Sequence, residues 1–175
     1  MPQNREHVLL VHAHPDDETI STGGTIATLL DAGGTVTLLT CTRGERGEVI
    51  PSALQHLSGD ALGEHREKEL GSAMRALGLS DYRLLGSEDA CASGTEPHRY
   101  RDSGMQWGPD GAEPLEPQGA ATVRDAASFT AANLDAIVAD IISVIGEVQP
   151  TAVISYDERG GYGHPDHVRA REAAT

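Results

Sequence analysis

The sequence predicts an α/β fold, a mostly parallel sheet with helices on both faces. Three observations predict it. Short apolar runs alternate with amphipathic segments along the whole chain. The first run, HVLLVHA, is almost continuously apolar, as a strand covered on both faces is. The length, 175 residues, suits one domain with a substantial core.

Residues 7–13, HVLLVHA, form the first strand, rich in Val and Leu. Residues 19–32 follow as a helix with Ile26, Leu29 and Leu30 on one face, stopped by Gly33-Gly34. TVTLLTCT (35–42) is the second strand, and residues 42–60 are a polar, Gly-containing loop. Residues 61–77 predict a helix with Leu62, Leu70, Met74 and Leu77 inward and Gly78 as its stop, and YRLLG (82–86) a third strand. From Ser87 to about Thr122 the chain is rich in Gly, Pro and charge, a loop long enough to be functional or disordered. Residues 130–148 carry the strongest helical period, through Leu134, Ile137, Val138, Ile141, Ile142, Ile145 and Val148. TAVISY (151–156) is the fourth strand, and HVRAREAAT (167–175) a last helix of barely two turns. A single domain over residues 1–175 is expected, truncated at its C-terminal side.

Composition narrows the function. Net charge is -14, the wrong sign for displacing phosphate counterions, so no nucleic-acid partner is expected. The two cysteines, Cys41 and Cys91, form no CxxC pattern and read as reduced thiols. No run approaches the ~20 apolar residues of a membrane span, and the N-terminal apolar run is too short for a signal-peptide core. A cytoplasmic protein with no membrane partner is the expectation, and oligomeric state is silent.

Two motifs carry the chemistry. His14-Pro15-Asp16-Asp17-Glu18 lies where the first strand ends and a helix begins, the position at which open α/β sheets bind ligands. Pro15 suits a first helical position, and the acids complement a helix N-terminus. A charged helix start therefore explains the motif as well as a site does. Tyr162-Gly163-His164-Pro165-Asp166-His167 repeats the pattern after the fourth strand, and two His-Pro-Asp clusters at equivalent strand ends favour one shared metal site. His14, Asp17 and His167 make a plausible three-ligand set. Catalytic zinc keeps a fourth position for water, whose pKa it lowers to about 7. Asp16 would then take the water's proton. His164 would face the developing oxyanion with Asp166 orienting its ring, and Tyr162 could swing in as a further donor.

AHPDDE (13–18) together with GHPDH (163–167) resembles the PIG-L/LmbE-like zinc N-deacetylases. TCTRGERGEVI (40–50), REKEL (66–70), RALG (75–78), RDSGM (101–105) and YDERGGYGHPDH (156–167) extend the resemblance over essentially the whole chain. It implies a Rossmann-like three-layer sandwich and hydrolysis of the acetamide of N-acetylglucosaminyl-inositol, in mycothiol biosynthesis. It implies His14, Asp17 and His167 as ligands of Zn2+ or Fe2+, Asp16 as general base, and His164 and Tyr162 as the oxyanion pair with Asp166 behind His164. Arg66, Asp102 and Met105 sit where the family contacts its small amino-sugar substrate, and Glu48 lies in a loop near that pocket. The alternatives within the family are a mycothiol S-conjugate amidase or another LmbE-like sugar N-deacetylase. The amidase branch carries a lysine where this chain has Ser21. Outside the family, an iron(II) oxygenase shares the ligand set but usually sits in an all-β barrel. A nucleotide-binding module lacks its G-x-G-x-x-G and would set acids against a pyrophosphate.

Overall fold

The computed structural model describes residues 6–109, 111–114 and 128–175. Strands β1 (His7–His12), β2 (Thr35–Thr40), β3 (Asp81–Leu84) and β6 (Ala152–Ile154) form one sheet in the order β3-β2-β1-β6. All three pairings are parallel, and β1 is paired along its whole length with β2, from His7↔Thr35 to His12↔Thr40. The chain runs outward from β1 through β2 to β3 and returns on the other side of β1 as β6. The β1/β6 boundary is therefore the topological switch point, where a crevice opens at the strands' carboxyl ends.

Side chains alternate across the sheet. Leu9, Val11 and Ala13 point to one face and pack with Leu39 and Cys41 against Ile137, Ile141 and Val144 of α3 (Leu134–Val148) and against Ala170 and Ala173 of α5 (Pro165–Ala174), which follows the single turn α4 (Gly160–Gly163). Val8 and Leu10 point to the other face and meet Ile26 of α1 (Gly23–Asp31) and Leu70 and Met74 of α2 (Gly59–Leu77). Leu9 and Leu10 are both fully buried, each worth roughly 1.5–3 kcal/mol of burial. Helices thus cover both faces, and the three-layer α/β sandwich expected from the sequence is the fold. Both cysteines are free thiols, Cys41 buried at the end of β2. No helix among the described residues is long and apolar enough to cross a membrane.

The structure differs from the sequence expectation at several elements, among them the fourth strand, which is shortened to Ala152–Ile154 and leaves Tyr156 outside it. The stretch expected to be a loop from Ser87 contains an antiparallel hairpin, β4 (Met105–Gly108) and β5 (Gly111–Pro114). The sequence GPDG at 108–111 is rich in turn-forming residue types, and residue 110 lies outside the described residues. The loop's residues 115–122 lie outside the described residues. The helix expected from residue 130 begins at Leu134, because Asn133 caps it by accepting from the Asp135 N–H, while Thr130 is tied to the Ser103 hydroxyl. The helix expected from residue 19 opens as one π-helical turn (Glu18–Thr22) before α1.

Candidate active site

The two His-Pro-Asp motifs meet at the switch point, but they are built differently. In the second, His164 is the N-cap of α5 and Pro165 its first residue, as the sequence predicts. In the first, Pro15 does not open the helix. Asp16 intervenes with φ 122°, a conformation that costs a non-glycine residue of order 1–3 kcal/mol, and the helix starts only after Asp17. Neighbouring groups hold this turn. The Asp16 N–H donates to Glu18 Oε2, and Glu18 is 1% exposed. The Arg66 guanidinium donates to the carbonyls of Pro15 and Gly44 and, at 2.7 Å, to the Asp16 carboxylate. Gly44, at φ 65°, leaves room for this guanidinium, since a Cβ there would displace Arg66 Nη1.

The kink turns Asp16 and Asp17 to different surroundings. Asp17 is buried between two imidazoles, its Oδ2 lying 3.4 Å from His14 Nδ1 and 3.3 Å from His167 Nε2. The same oxygen accepts from the His14 N–H at 3.0 Å and from the Tyr156 hydroxyl at 2.7 Å. Burial alone would raise its pKa, but His14 and His167 outweigh burial and hold the carboxyl far below its usual range. Asp16 has a half-exposed side chain and lines the cavity. Burial raises its pKa more than Arg66 lowers it, leaving a stronger base than an ordinary aspartate.

Hydrogen bonds fix the ring orientations. His167 Nδ1 lies 3.1 Å from the Gly160 carbonyl, so Nδ1 carries the proton and Nε2 presents a lone pair. That Nε2 is buried without a hydrogen bond. His14 Nε2 faces the Asp166 carboxylate at 3.2 Å and Asp102 at 3.7 Å, leaving Nδ1 toward Asp17. The Asp166 carboxylate therefore backs His14 rather than His164, and also accepts from the Ser103 N–H. What Asp166 gives His164 is its backbone N–H, donated to Nδ1 at 3.1 Å. The free nitrogen of His164 is then Nε2, which carries the proton in the neutral ring. Burial, reinforced by the nearby His14, pushes His164 down to about 4, so near neutral pH the ring is an uncharged donor.

Among the described residues, two sets of donor atoms lie within 4.8 Å of one another: His14, His164 and His167, and His14, Asp102 and Asp166. The first set overlaps the expected ligands, with the Asp17 carboxylate between His14 and His167. A divalent cation fits this pocket. Imidazole nitrogens and a carboxylate are its natural donors, the orphaned His167 Nε2 needs a partner, and the surrounding buried acids need positive charge. His14 supplies positive charge here: burial lowers its pKa, but Asp102, Asp166 and Asp17 outweigh burial and raise it well above its ordinary value.

A cavity of about 720 Å³ opens over the cluster, lined by His14, Asp16, Asp17, His164 and Tyr162. Arg66, Glu48, Asp102 and Met105 all line it too. Arg66 and Asp102 are committed to the protein as well: Asp102 is 3% exposed and accepts from the Gly104 and Arg46 N–H groups. Tyr162 is half exposed, its ring centroid 5.0 Å from His167.

Sequence reasoning missed Tyr156. It stacks on His167 with ring centroids 4.2 Å apart and planes 11° from parallel. Its hydroxyl accepts from the Ala13 N–H while donating to Asp17. The sequence placed it only as the last residue of a strand, with no periodic signal to mark it. Tyr156→Phe should lower unfolding free energy by about 1.5–3 kcal/mol, the value of a hydrogen bond to a charged group. Urea denaturation checks this, and an unchanged midpoint would show that the Asp17 contact contributes nothing.

The family profile described as PIG-L, GlcNAc-PI de-N-acetylase, matches residues 9–175. A 1D-myo-inositol 2-acetamido-2-deoxy-alpha-D-glucopyranoside deacetylase of Kineococcus radiotolerans is 51% identical over 168 residues, covering 95% of this chain and 43% of that protein. Its counterpart in Streptomyces avermitilis is 45% identical over 177 residues, covering 99% of this chain and 52% of that protein. This chain thus spans about half the length of the curated relatives it matches. Among solved structures, an N,N'-diacetylchitobiose deacetylase from Pyrococcus horikoshii superposes with a TM-score of 0.66 at 26% identity, covering 98% of this chain and 48% of that one. A zinc-inhibited form of teicoplanin deacetylase gives 0.61 at 25% identity, covering 96% and 61%.

Proposed function

Because this chain belongs to the PIG-L family of de-N-acetylases, we propose that it hydrolyses the acetamide of N-acetylglucosaminyl-inositol, releasing acetate and the free amine, the step that the sequence resemblance places in mycothiol biosynthesis. One observation carries the reading: His14, Asp17 and His167 converge beneath the cavity while Asp16, next in the chain to Asp17, is turned into it. His14, Asp17 and His167 would hold a divalent cation, zinc or iron(II), with His164 close by. Such a cation, when bound, supplies a Lewis acid and makes water acidic enough to attack at neutral pH.

The chain's own residues do the rest. Asp16 takes a proton from the attacking water, whose oxygen adds to the acetamide carbon. Negative charge then develops on the former carbonyl oxygen. His164 is placed to donate Nε2–H to it, and Tyr162 its hydroxyl. The C–N bond breaks as the proton held by Asp16 passes to the departing amine. Arg66 keeps the Asp16 carboxylate aimed at the cavity and does not itself react.

The test is amine release from N-acetylglucosaminyl-inositol, with zinc- and iron(II)-loaded protein compared. A teicoplanin deacetylase has a zinc-inhibited form, so zinc is titrated from one equivalent upward. Turnover with either metal at one equivalent is expected. A mycothiol S-conjugate serves as competing substrate, and a large preference for it would replace deacetylase by amidase.

A further inference from the structure

Part of the cavity lining that the proposed reaction does not use is aromatic. Trp107, the chain's single tryptophan, stands 69% exposed on β4 and yet lines the cavity. Strand alternation puts Met105 on the same face, and Met105 lines the cavity too. Opposite Trp107 on β5 is Ala112, too small to cover an indole. An aromatic surface left open over a concave polar site is a ligand-contact feature.

Its neighbours give the surface a direction. The Trp107 ring lies 5.7 Å from the Tyr162 ring, their planes 34° apart, and Tyr162 leans on His167. An aromatic strip therefore runs from the candidate metal ligands outward to the hairpin. The hairpin is seated rather than loose. Gly111, at φ 134°, lets its backbone rest against the Tyr162 carbonyl, which a Cβ would approach to 2.8 Å. With the acetamide held at Asp16 and His164, this strip offers the group attached to the amino sugar an aromatic surface along the cavity. The C–H faces of a saturated ring are apolar and pack flat on an aromatic face.

We propose that Trp107 is a substrate-binding residue whose indole face stacks on the ring joined to the acetamido sugar, a neutral polyol or pyranose, and so selects which aglycone the site accepts. This rests on the amino-sugar deacetylase reading. A lone tryptophan makes the contact directly visible. Saturating zinc-loaded protein with the product glucosaminyl-inositol shifts and quenches Trp107 emission, whereas glucosamine alone leaves it nearly unchanged. Trp107→Ala raises KM for N-acetylglucosaminyl-inositol about tenfold, the value of one aromatic stack, with kcat within about twofold. Trp107→Phe restores most of the loss. Neither variant alters turnover of N-acetylglucosamine. An unresponsive emission, an unchanged KM, or a fall confined to kcat would each overturn the proposal, the last by making Trp107 a support for Tyr162. If wild type releases amine from neither sugar, the deacetylase reading fails. The fluorescence titration still decides the proposal then, a response to the product supporting it and silence overturning it.

Discussion

An Asp16→Asn enzyme keeps its metal and loses most of its turnover. The substitution is isosteric, so the amide oxygen can still accept from Arg66 as the carboxylate does at 2.7 Å. Nothing at the ligand cluster changes, because Asp17 and not Asp16 touches His14 and His167. What is lost is the ability to take a proton from water and return it to the amine, worth typically 10²–10⁴-fold in rate. Metal content by atomic emission should stay at the wild-type ratio while kcat falls by about that factor and KM changes little. Near-normal kcat would remove Asp16 from the base role, and loss of metal would make it a ligand. The backbone adds a second reading of the same site. Strain at φ 122° persists only where its surroundings enforce it, and here Glu18 and Arg66 do. Asp16→Gly, free of that strain, should leave urea stability equal or higher while abolishing turnover.

Much of this was legible in the sequence, for a physical reason. A parallel strand buried on both faces is rich in apolar and β-branched residues, so HVLLVHA and TVTLLTCT announced β1 and β2, and the sheet order then set both His-Pro-Asp motifs at one switch point. What stayed hidden depends on contacts between distant parts of the chain. Tyr156 supports Asp17 across 139 residues, and Asp166 backs His14 across 152. No local period encodes either pairing. Hairpin β4–β5 escaped because its strands are four residues each, too short for a periodic signal to rise above the surrounding Gly, Pro and charge. The kink at Asp16 escaped for the opposite reason: Pro15 and three acids look like an ordinary helix start, and only Arg66 and Glu18, placed by the fold, bend it away from one.

The ligand cluster predicts a graded response to substitution. His14→Ala removes one of three ligands and should lower bound metal from about one per chain to well below that in equilibrium dialysis, with turnover lost in parallel. Asp166→Asn is the informative companion. It removes no ligand, but it weakens the partner that faces His14 Nε2 at 3.2 Å and keeps Nδ1 directed at Asp17. Changes to such outer partners typically cost 10–100-fold in metal affinity or activity. Asp166→Asn should therefore bind metal that much more weakly and recover turnover as metal is added, whereas His14→Ala should not recover. Two further variants separate the competing sets. If His14, Asp17 and His167 hold the metal, Asp17→Asn loses it and His164→Ala keeps it. If His14, His164 and His167 hold it, the order reverses. The first outcome is expected, because His164 Nδ1 is already occupied by the Asp166 N–H and its remaining nitrogen carries the proton, whereas the Asp17 carboxylate lies between His14 Nδ1 and His167 Nε2 as an anionic donor.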